Sequence, residues 1–267
     1  LMRAILALLR AAWLSATSYR VATALSTVSL LASVVPVWFI ARAVEPMARE
    51  SIRLESGDYF GFIVLGIAST YIILAASAAL PGALAGSIGS GTFEALLVTR
   101  TPLPVLLVGM SAYPVLQSLV NATIVVLGAV VLGVRLDPLM LPAVAGILLL
   151  LIAAHAALGL VSSALVLVFR TSGPLVTAVV GGSSLLGGVY YSTTAIPGWL
   201  QALSGLFPLT YGLRATRRLL LADAPLAAVA GDVAVLAAIA GGGLVVGTIA
   251  FSAALRHARR AGTLAQF

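Results

Sequence analysis

Long apolar runs separated by short polar stretches dominate the chain. Six of these runs are long enough to supply the roughly 20 apolar residues of helix that cross a bilayer core. We place the six predicted spans approximately at residues 21–41, 59–80, 103–134, 138–169, 174–193 and 226–255. The pattern predicts an all-α membrane protein with six transmembrane helices.

Two further apolar stretches are too short or too interrupted to cross. In residues 1–20, Arg3 and Arg10 lie seven apart on one helical face, which is typical of a helix lying in the membrane interface. In residues 194–213, Pro197 and Pro208 bracket a helix of about three turns. This segment is too apolar for an exposed loop, so we predict a re-entrant outer hairpin between spans five and six. Residues 1–267 then form a single domain.

Composition narrows the classes of protein. The chain is 61% hydrophobic and only 9% charged, which excludes a soluble globular domain, a disordered chain and a coiled coil. It contains no Cys, and all 15 basic residues are Arg. Without Lys there is no Walker A loop, so we expect no ATPase site in this chain. The scattered Arg residues form no basic patch for nucleic acid, and we predict no metal site.

The charges indicate an orientation. Six spans would place both termini on one side of the membrane, with eight of the 15 Arg residues. Glu94 is the one acidic residue on that side, and the other seven acids lie opposite or near the opposite interface. A net basic face suits an anionic inner leaflet. We therefore predict cytoplasmic termini, and the Arg-, Ala- and Gly-rich usage suggests a prokaryotic inner membrane.

The predicted cytoplasmic segment 85–102 contains a short helix. It includes the run Gly-Thr-Phe-Glu-Ala-Leu-Leu-Val at residues 91–98. Thr92 can cap this helix, Glu94 suits its first turn, and Pro102 prevents its smooth continuation. Such a helix is either a docking surface or a plain interfacial connector.

Two motifs resemble those of a known family. The run at 91–98, followed by Thr101-Pro102-Leu103, resembles the connector of type-2 ABC exporter permeases. The stretch Ala-Ile-Pro-Gly-Trp-Leu at 195–200, followed by Phe-Pro-Leu-Thr-Tyr at 207–211 and by Arg214, is similar to that family's signature between its last two spans. The resemblance extends over essentially the whole chain.

The resemblance implies a transmembrane subunit that pairs with a second copy or a paralogue. It also implies separate P-loop ATPase subunits, which bind ATP and Mg²⁺, whereas this chain binds no cofactor. Glu94 and the Arg residues would make charged contacts with the ATPase, and Phe93 and Leu97 would insert as apolar anchors. The candidate contact residues are Arg3, Arg10, Phe93, Glu94, Leu97 and Arg100.

Polar and aromatic residues suggest a route through the membrane. Gln117 and Asn121 lie four apart on one face of the third span, either bonding to another helix or lining a translocation path. A group of aromatic residues near the outer hairpin forms either an aromatic belt or a hydrophobic exit. The candidates for this exit are Tyr190, Tyr191, Phe207 and Tyr211.

Other residues in the spans have structural interpretations that we favour. His155 is a packing histidine or a proton relay, and the lack of a central acidic residue in any other span favours packing. Asp232 lies near the outer interface, where it can pair with Arg214 or Arg218. Gly243 and Gly247 form a G-x-x-x-G motif, for packing within the subunit or at a dimer seam.

The sequence therefore predicts the permease subunit of an ATP-driven exporter. Its substrate would be hydrophobic or amphipathic, such as a drug, a lipid or a lipid-linked glycan. The alternative is a proton-coupled secondary transporter, which would need titratable groups near the midplane. An intramembrane enzyme is a third class, but the chain has neither H-E-x-x-H nor G-x-S-x-G.

Overall fold

The structure is a computed structural model that describes residues 20–98, 101–169 and 173–261. Within these ranges the chain forms nine α-helices and two single-turn 3-10 helices, Pro138–Met140 and Thr193–Ala195. The predicted interfacial helix lies outside the described residues, apart from Arg20. The α-helices are α1 (Arg20–Ile52), α2 (Tyr59–Gly89), α3 (Thr92–Val98), α4 (Leu103–Val131), α5 (Leu141–Phe169), α6 (Gly173–Leu186), α7 (Gly198–Ser204), α8 (Pro208–Leu221) and α9 (Leu226–Ala261).

Five segments of the described chain are long and apolar enough to cross a membrane. They are Ala24–Ile52, Tyr59–Gly89, Leu103–Val131, Pro138–Phe169 and Leu226–Ala258, which correspond to predicted spans one to four and six. The predicted fifth span differs, because α6 has only 14 residues. Its length of about 21 Å is less than the roughly 30 Å of a hydrocarbon core. Helix α6 ends at Leu186, and Gly188 turns the chain with a φ of +84°.

The first predicted span continues beyond the predicted boundary at residue 41. Helix α1 extends to Ile52 although this last part contains several charged residues. Glu45 lies 3.1 Å from Arg42 and 3.2 Å from Arg49 in two ion pairs. Pairs at this spacing stabilise a helix. The sequence prediction ended this helix too early because it was based only on the run of apolar residues.

The long helices alternate in direction, so their loops gather at two ends of the bundle. We call the upper end the one that carries the α1–α2 loop, the α4–α5 loop and the end of α8. There the backbone N–H of Asp137 donates to the Leu220 carbonyl at 3.2 Å. The lower end carries α3, where the ends of α2, α5 and α9 meet in an apolar cluster.

Helix α2 is the central helix of the bundle. In its most apolar stretch 67% of the residues are buried, compared with 11% in α1. It packs against α1, α4, α5, α6 and α8. The other close packing joins α5 to α9, where Gly243 and Gly247 both face Ala157. A Cβ atom on Gly247 would lie 2.8 Å from the Ala157 carbonyl oxygen. This glycine pair therefore packs helices within the chain.

Helices α7 and α8 form a helical hairpin that folds back along α6 from the upper end. The ring of Phe207, at the turn of this hairpin, lies 3.0 Å from the position of a Cβ on Gly182 of α6. Phe207 also lines a cavity with Ala154 and Gly243, which lie near the middle of α5 and α9. From this turn, α8 returns to the upper end.

Candidate functional site

The connector α3 is attached to the lower end of the bundle by Phe93. Gly91, with a φ of +69°, turns the chain between α2 and α3. Phe93 is 2% exposed and belongs to an apolar cluster with Leu84 of α2, Leu167 of α5 and Leu255 of α9. A displacement of α3 must therefore move these helices or break this cluster.

The position of Phe93 changes its predicted role. The sequence predicts an apolar anchor for a partner, but the ring is buried in the interior of this chain and leaves little surface for a partner. Thr92 is the first residue of α3, and its hydroxyl donates to the Ser87 carbonyl at 3.2 Å, which ties the connector to α2. The remaining predicted contacts lie outside the described side chains and stay predictions. They are Arg3, Arg10, Glu94, Leu97 and Arg100.

Gln117 and Asn121 lie together on one face of α4, as predicted. The Tyr113 hydroxyl donates to Gln117 Oε1 at 3.4 Å, and Gln117 Nε2 donates to Asn121 Oδ1 at 3.1 Å. We call these three residues the amide row. The row lines a groove of about 650 Å³ between α2 and α4. Both predicted path residues therefore reach one cavity.

Arg217 of α8 is the largest of the fully buried side chains, with 1% exposed. Its Nε and Nη2 donate to the Phe62 carbonyl at 3.1 and 2.7 Å. Nη1 donates to the Gly188 carbonyl at 2.7 Å and Nη2 to the Val189 carbonyl at 3.0 Å. Nη1 also donates to Glu55 Oε2 at 3.4 Å. All five N–H groups of the guanidinium are therefore satisfied.

The chain after α6 explains why a charge is buried here. Residues 187–192 are not helical and Val189 is fully buried, so their carbonyls need donors from elsewhere. The planar guanidinium supplies several donors at once. Glu55 balances the charge and also accepts from the Ser192 hydroxyl at 2.8 Å. We call this group the upper polar cluster. Its members are Glu55, Phe62, Gly188, Val189, Ser192 and Arg217.

The surroundings of Arg217 stabilise its positive charge. The Glu55 carboxylate lies 3.4 Å from Nη1 as a buried counter-ion. The guanidinium carbon also lies 3.3 Å from the centre of the Phe62 ring, a favourable cation–π position. The charge is therefore stabilised by an anion, by carbonyl dipoles and by an aromatic face.

Sequence reasoning missed the upper polar cluster because it counted Arg217 and Glu55 among the outer charges. One signal could have found it. In a helix, residues three and four apart share a face, and Leu213 and Leu220 lie at these distances from Arg217. Both leucines are buried. Arg217 therefore lies on the apolar face of α8, where an exposed charge is not expected.

The predicted ion pair of Asp232 is present. Arg214 Nε donates to the two Asp232 carboxylate oxygens at 3.1 and 3.0 Å. This pair joins α8 to the first turns of α9. Arg218, the other predicted partner, instead donates to the Ala228 carbonyl at 3.0 Å.

Three of the four aromatic residues predicted as an exit make contacts within the segment from α6 to α8. The hydroxyl of Tyr191 donates to a carbonyl near the end of α6, and that of Tyr211 donates to a carbonyl in the hairpin turn at 2.9 Å. The Phe207 ring packs on α6. Tyr190 is different, because it is 46% exposed.

His155 lies in the packed interior of α5. It is fully buried, and its Nδ1 lies 2.9 Å from the Leu151 carbonyl oxygen one turn earlier in the helix. A backbone carbonyl only accepts hydrogen bonds, so Nδ1 carries the proton in this contact. The position suits the packing role that the sequence favours.

The described helices, five of them long enough to cross a bilayer, define a multi-pass membrane protein. The family model for the ABC-2 type transporter matches residues 3–221. The chain therefore belongs to the ABC-2 type transporter family, as the two sequence motifs predict. It is a permease subunit of an ABC transporter, and the family implies a partner ABC ATPase subunit. None of the curated proteins matches the chain.

Proposed function

We propose that this chain is the membrane subunit of an ATP-driven exporter for a hydrophobic or amphipathic substrate. A drug, a lipid or a lipid-linked glycan would fit this description. A separate P-loop ATPase subunit binds ATP and Mg²⁺, and a second permease, identical or paralogous, completes the complex. Family membership supports the pairing with an ATPase. The observation that carries the proposal is the attachment of α3 to three long helices through Phe93.

This attachment suggests how ATP binding acts on the bundle. A nucleotide drives transport only if its binding favours one arrangement of the membrane helices over another. A partner that pushes on α3 would move the Phe93 cluster, and with it the lower ends of α2, α5 and α9. Packed helices respond to such a push as rigid bodies. Residues 1–20 and 85–102 form the proposed contact surface.

The proposed topology has six crossings, with the lower end of the bundle and both termini in the cytoplasm. Helix α6 supplies about 21 Å of the fifth crossing, and the upper polar cluster completes it. The α7–α8 hairpin is then re-entrant from the outside, which its turn beside the middle of α5 and α9 supports. The chain has no Cys, so an impermeant maleimide on intact cells should label Asp223→Cys and not Ser90→Cys. The reverse result would contradict this orientation.

Purification from native membranes tests the partnership, and a charge reversal tests the contact. We expect a stoichiometric P-loop ATPase to copurify with the tagged full-length chain. In the reconstituted complex, Glu94→Arg should abolish transport-coupled stimulation of the ATPase without affecting membrane insertion. The matched control is Glu50→Arg at the upper end, where the Glu50 side chain is 89% exposed; it should retain stimulation.

Two outcomes would contradict these proposals separately. If the ATPase is still stimulated in the complex that carries Glu94→Arg, α3 is not the contact with the ATPase. A chain that purifies without an ATPase and does not respond to ATP would contradict the exporter and favour the secondary transporter.

A further inference from the structure

The amide row on α4 ends in hydrogen-bond donors without acceptors. Its bonds run in one direction, from Tyr113 to Gln117 and from Gln117 to Asn121. Within the described part of the chain, no acceptor reaches Nδ2 of Asn121. The two N–H groups on this nitrogen are therefore available to a molecule in the groove.

These amides lie at a depth where the bilayer cannot satisfy them. Gln117 is the central residue of the candidate span Leu103–Val131. Lipid tails neither accept nor donate hydrogen bonds, so polar groups at this depth need a polar partner or a polar ligand. The row is about 12 Å long, since Tyr113 and Asn121 are eight residue steps apart along the helix.

The opposite wall of the groove is shaped for an apolar body. It is formed by α2, where small residues such as Ala75, Ala78 and Gly82 follow Tyr71 and Leu74. A Cβ atom added to Gly82 would meet nothing within 4 Å. The cavity of about 650 Å³ is within the range of small-molecule sites.

We propose that this α2–α4 groove binds an uncharged amphiphile. Its hydrogen-bond acceptors meet Asn121 and Gln117, and its apolar body lies on the small residues of α2. The ligand is uncharged because none of the described residues that line the groove is charged. The identification of this ligand class as the transported substrate rests on the proposed function, but the binding itself does not.

Binding of a neutral dye to the full-length chain in lipid nanodiscs tests the proposal. The probe is Nile red, an uncharged amphiphile with a carbonyl acceptor, and the comparison probe is perylene, a hydrocarbon without one. We expect saturable Nile red binding above that of empty nanodiscs. Gln117→Leu and Asn121→Leu should each weaken it by roughly five- to tenfold, the effect of one lost hydrogen bond. Perylene binding should not change.

Two further variants separate the contribution of hydrogen bonds to dye binding from that of the groove's shape. Thr123→Val removes a hydroxyl from α4 outside the groove and should leave the binding of both dyes unchanged. Gly82→Phe fills the groove from the opposite wall and should weaken both dyes. Size-exclusion profiles and helical content verify that each variant is folded.

Two results would overturn the proposal. One is that the folded Gln117→Leu, Asn121→Leu and Gly82→Phe variants bind Nile red with the same affinity as the unmodified chain. The other is a loss of self-association in the amide variants with unchanged dye binding, which would assign the amides to a helix–helix contact. Neither result depends on the ATPase. A negative dye-binding result would therefore not contradict the exporter proposal, and failure to find an ATPase would not contradict ligand binding in the groove.

Discussion

Replacing Arg217 with Met should cause the largest loss of stability among single changes at the upper end. Methionine fills a similar space without N–H groups or charge. It leaves the carbonyls of Gly188 and Val189 without their donors and Glu55 buried without its counter-ion. The Phe62 carbonyl is affected less, because it lies in α2 and retains a helical partner.

The structure sets the magnitude of this effect. An unsatisfied buried carbonyl costs about 1–3 kcal/mol, and breaking a buried ion pair from one side costs about 3–5 kcal/mol. These terms overlap, so we expect Arg217→Met to lower the free energy of unfolding by about 3–5 kcal/mol. Arg217→Lys retains the charge but loses the planar fork, and its loss should be intermediate.

The assay is equilibrium unfolding in mixed micelles, followed by circular dichroism. Arg218→Met on the same helix is the matched control, because Arg218 is only partly buried and makes one exposed contact. It should cost less than about 1 kcal/mol. Glu55→Gln completes a double-mutant cycle with Arg217→Met, and we expect a coupling energy of at least about 2 kcal/mol.

Two results would refute this reasoning. If Arg217→Met and Arg218→Met cost the same, the buried contacts of Arg217 would not stabilise the fold. If the effects of Arg217→Met and Glu55→Gln are additive, the ion pair would have no energy of its own, even though both side chains are buried.

Two further predictions concern the same end of the bundle. Gly66→Ala would place a Cβ atom 2.5 Å from the Val189 carbonyl oxygen, so it should destabilise the chain by about 1–3 kcal/mol in the same unfolding assay. The control is Gly82→Ala on the same helix, where the new Cβ atom meets nothing within 4 Å, and it should stabilise the chain by about 0.5–1 kcal/mol. Equal effects of the two substitutions would contradict the close approach of Gly66 to the Val189 carbonyl. Asp232→Asn should cost about 1 kcal/mol by weakening the Arg214 pair, whereas exposed Asp223→Asn should have little effect, and similar losses in both would count against this pair.

The sequence by itself determined the class of protein and most of the long helices. A helix that crosses the hydrocarbon core needs about 20 apolar residues. Each span can therefore be predicted from one stretch of sequence, such as Leu226–Ala258. Family membership could also be predicted from the sequence, because the connector near Glu94 and the motif around Pro208 are short contiguous segments. The sequence also predicted an ion pair for Asp232 near the outer interface but left Arg214 and Arg218 open as its partner, and the structure selects Arg214.

The tertiary structure alone decided which residues meet across long separations. The sequence contains both Glu55 and Arg217, but they lie 162 positions apart, and only the packing of α8 against α2 brings them together. The early end of α6 has the same origin, since a helix can stop inside a bundle only where another element satisfies the freed carbonyls. Here Tyr191 and, from α7, Ser204 donate to the last carbonyls of α6, and Arg217 of α8 donates to the carbonyls of the chain that follows. Local pattern fixes where helices form, whereas burial, and therefore the energetic role of each charge, depends on the packing of the whole bundle.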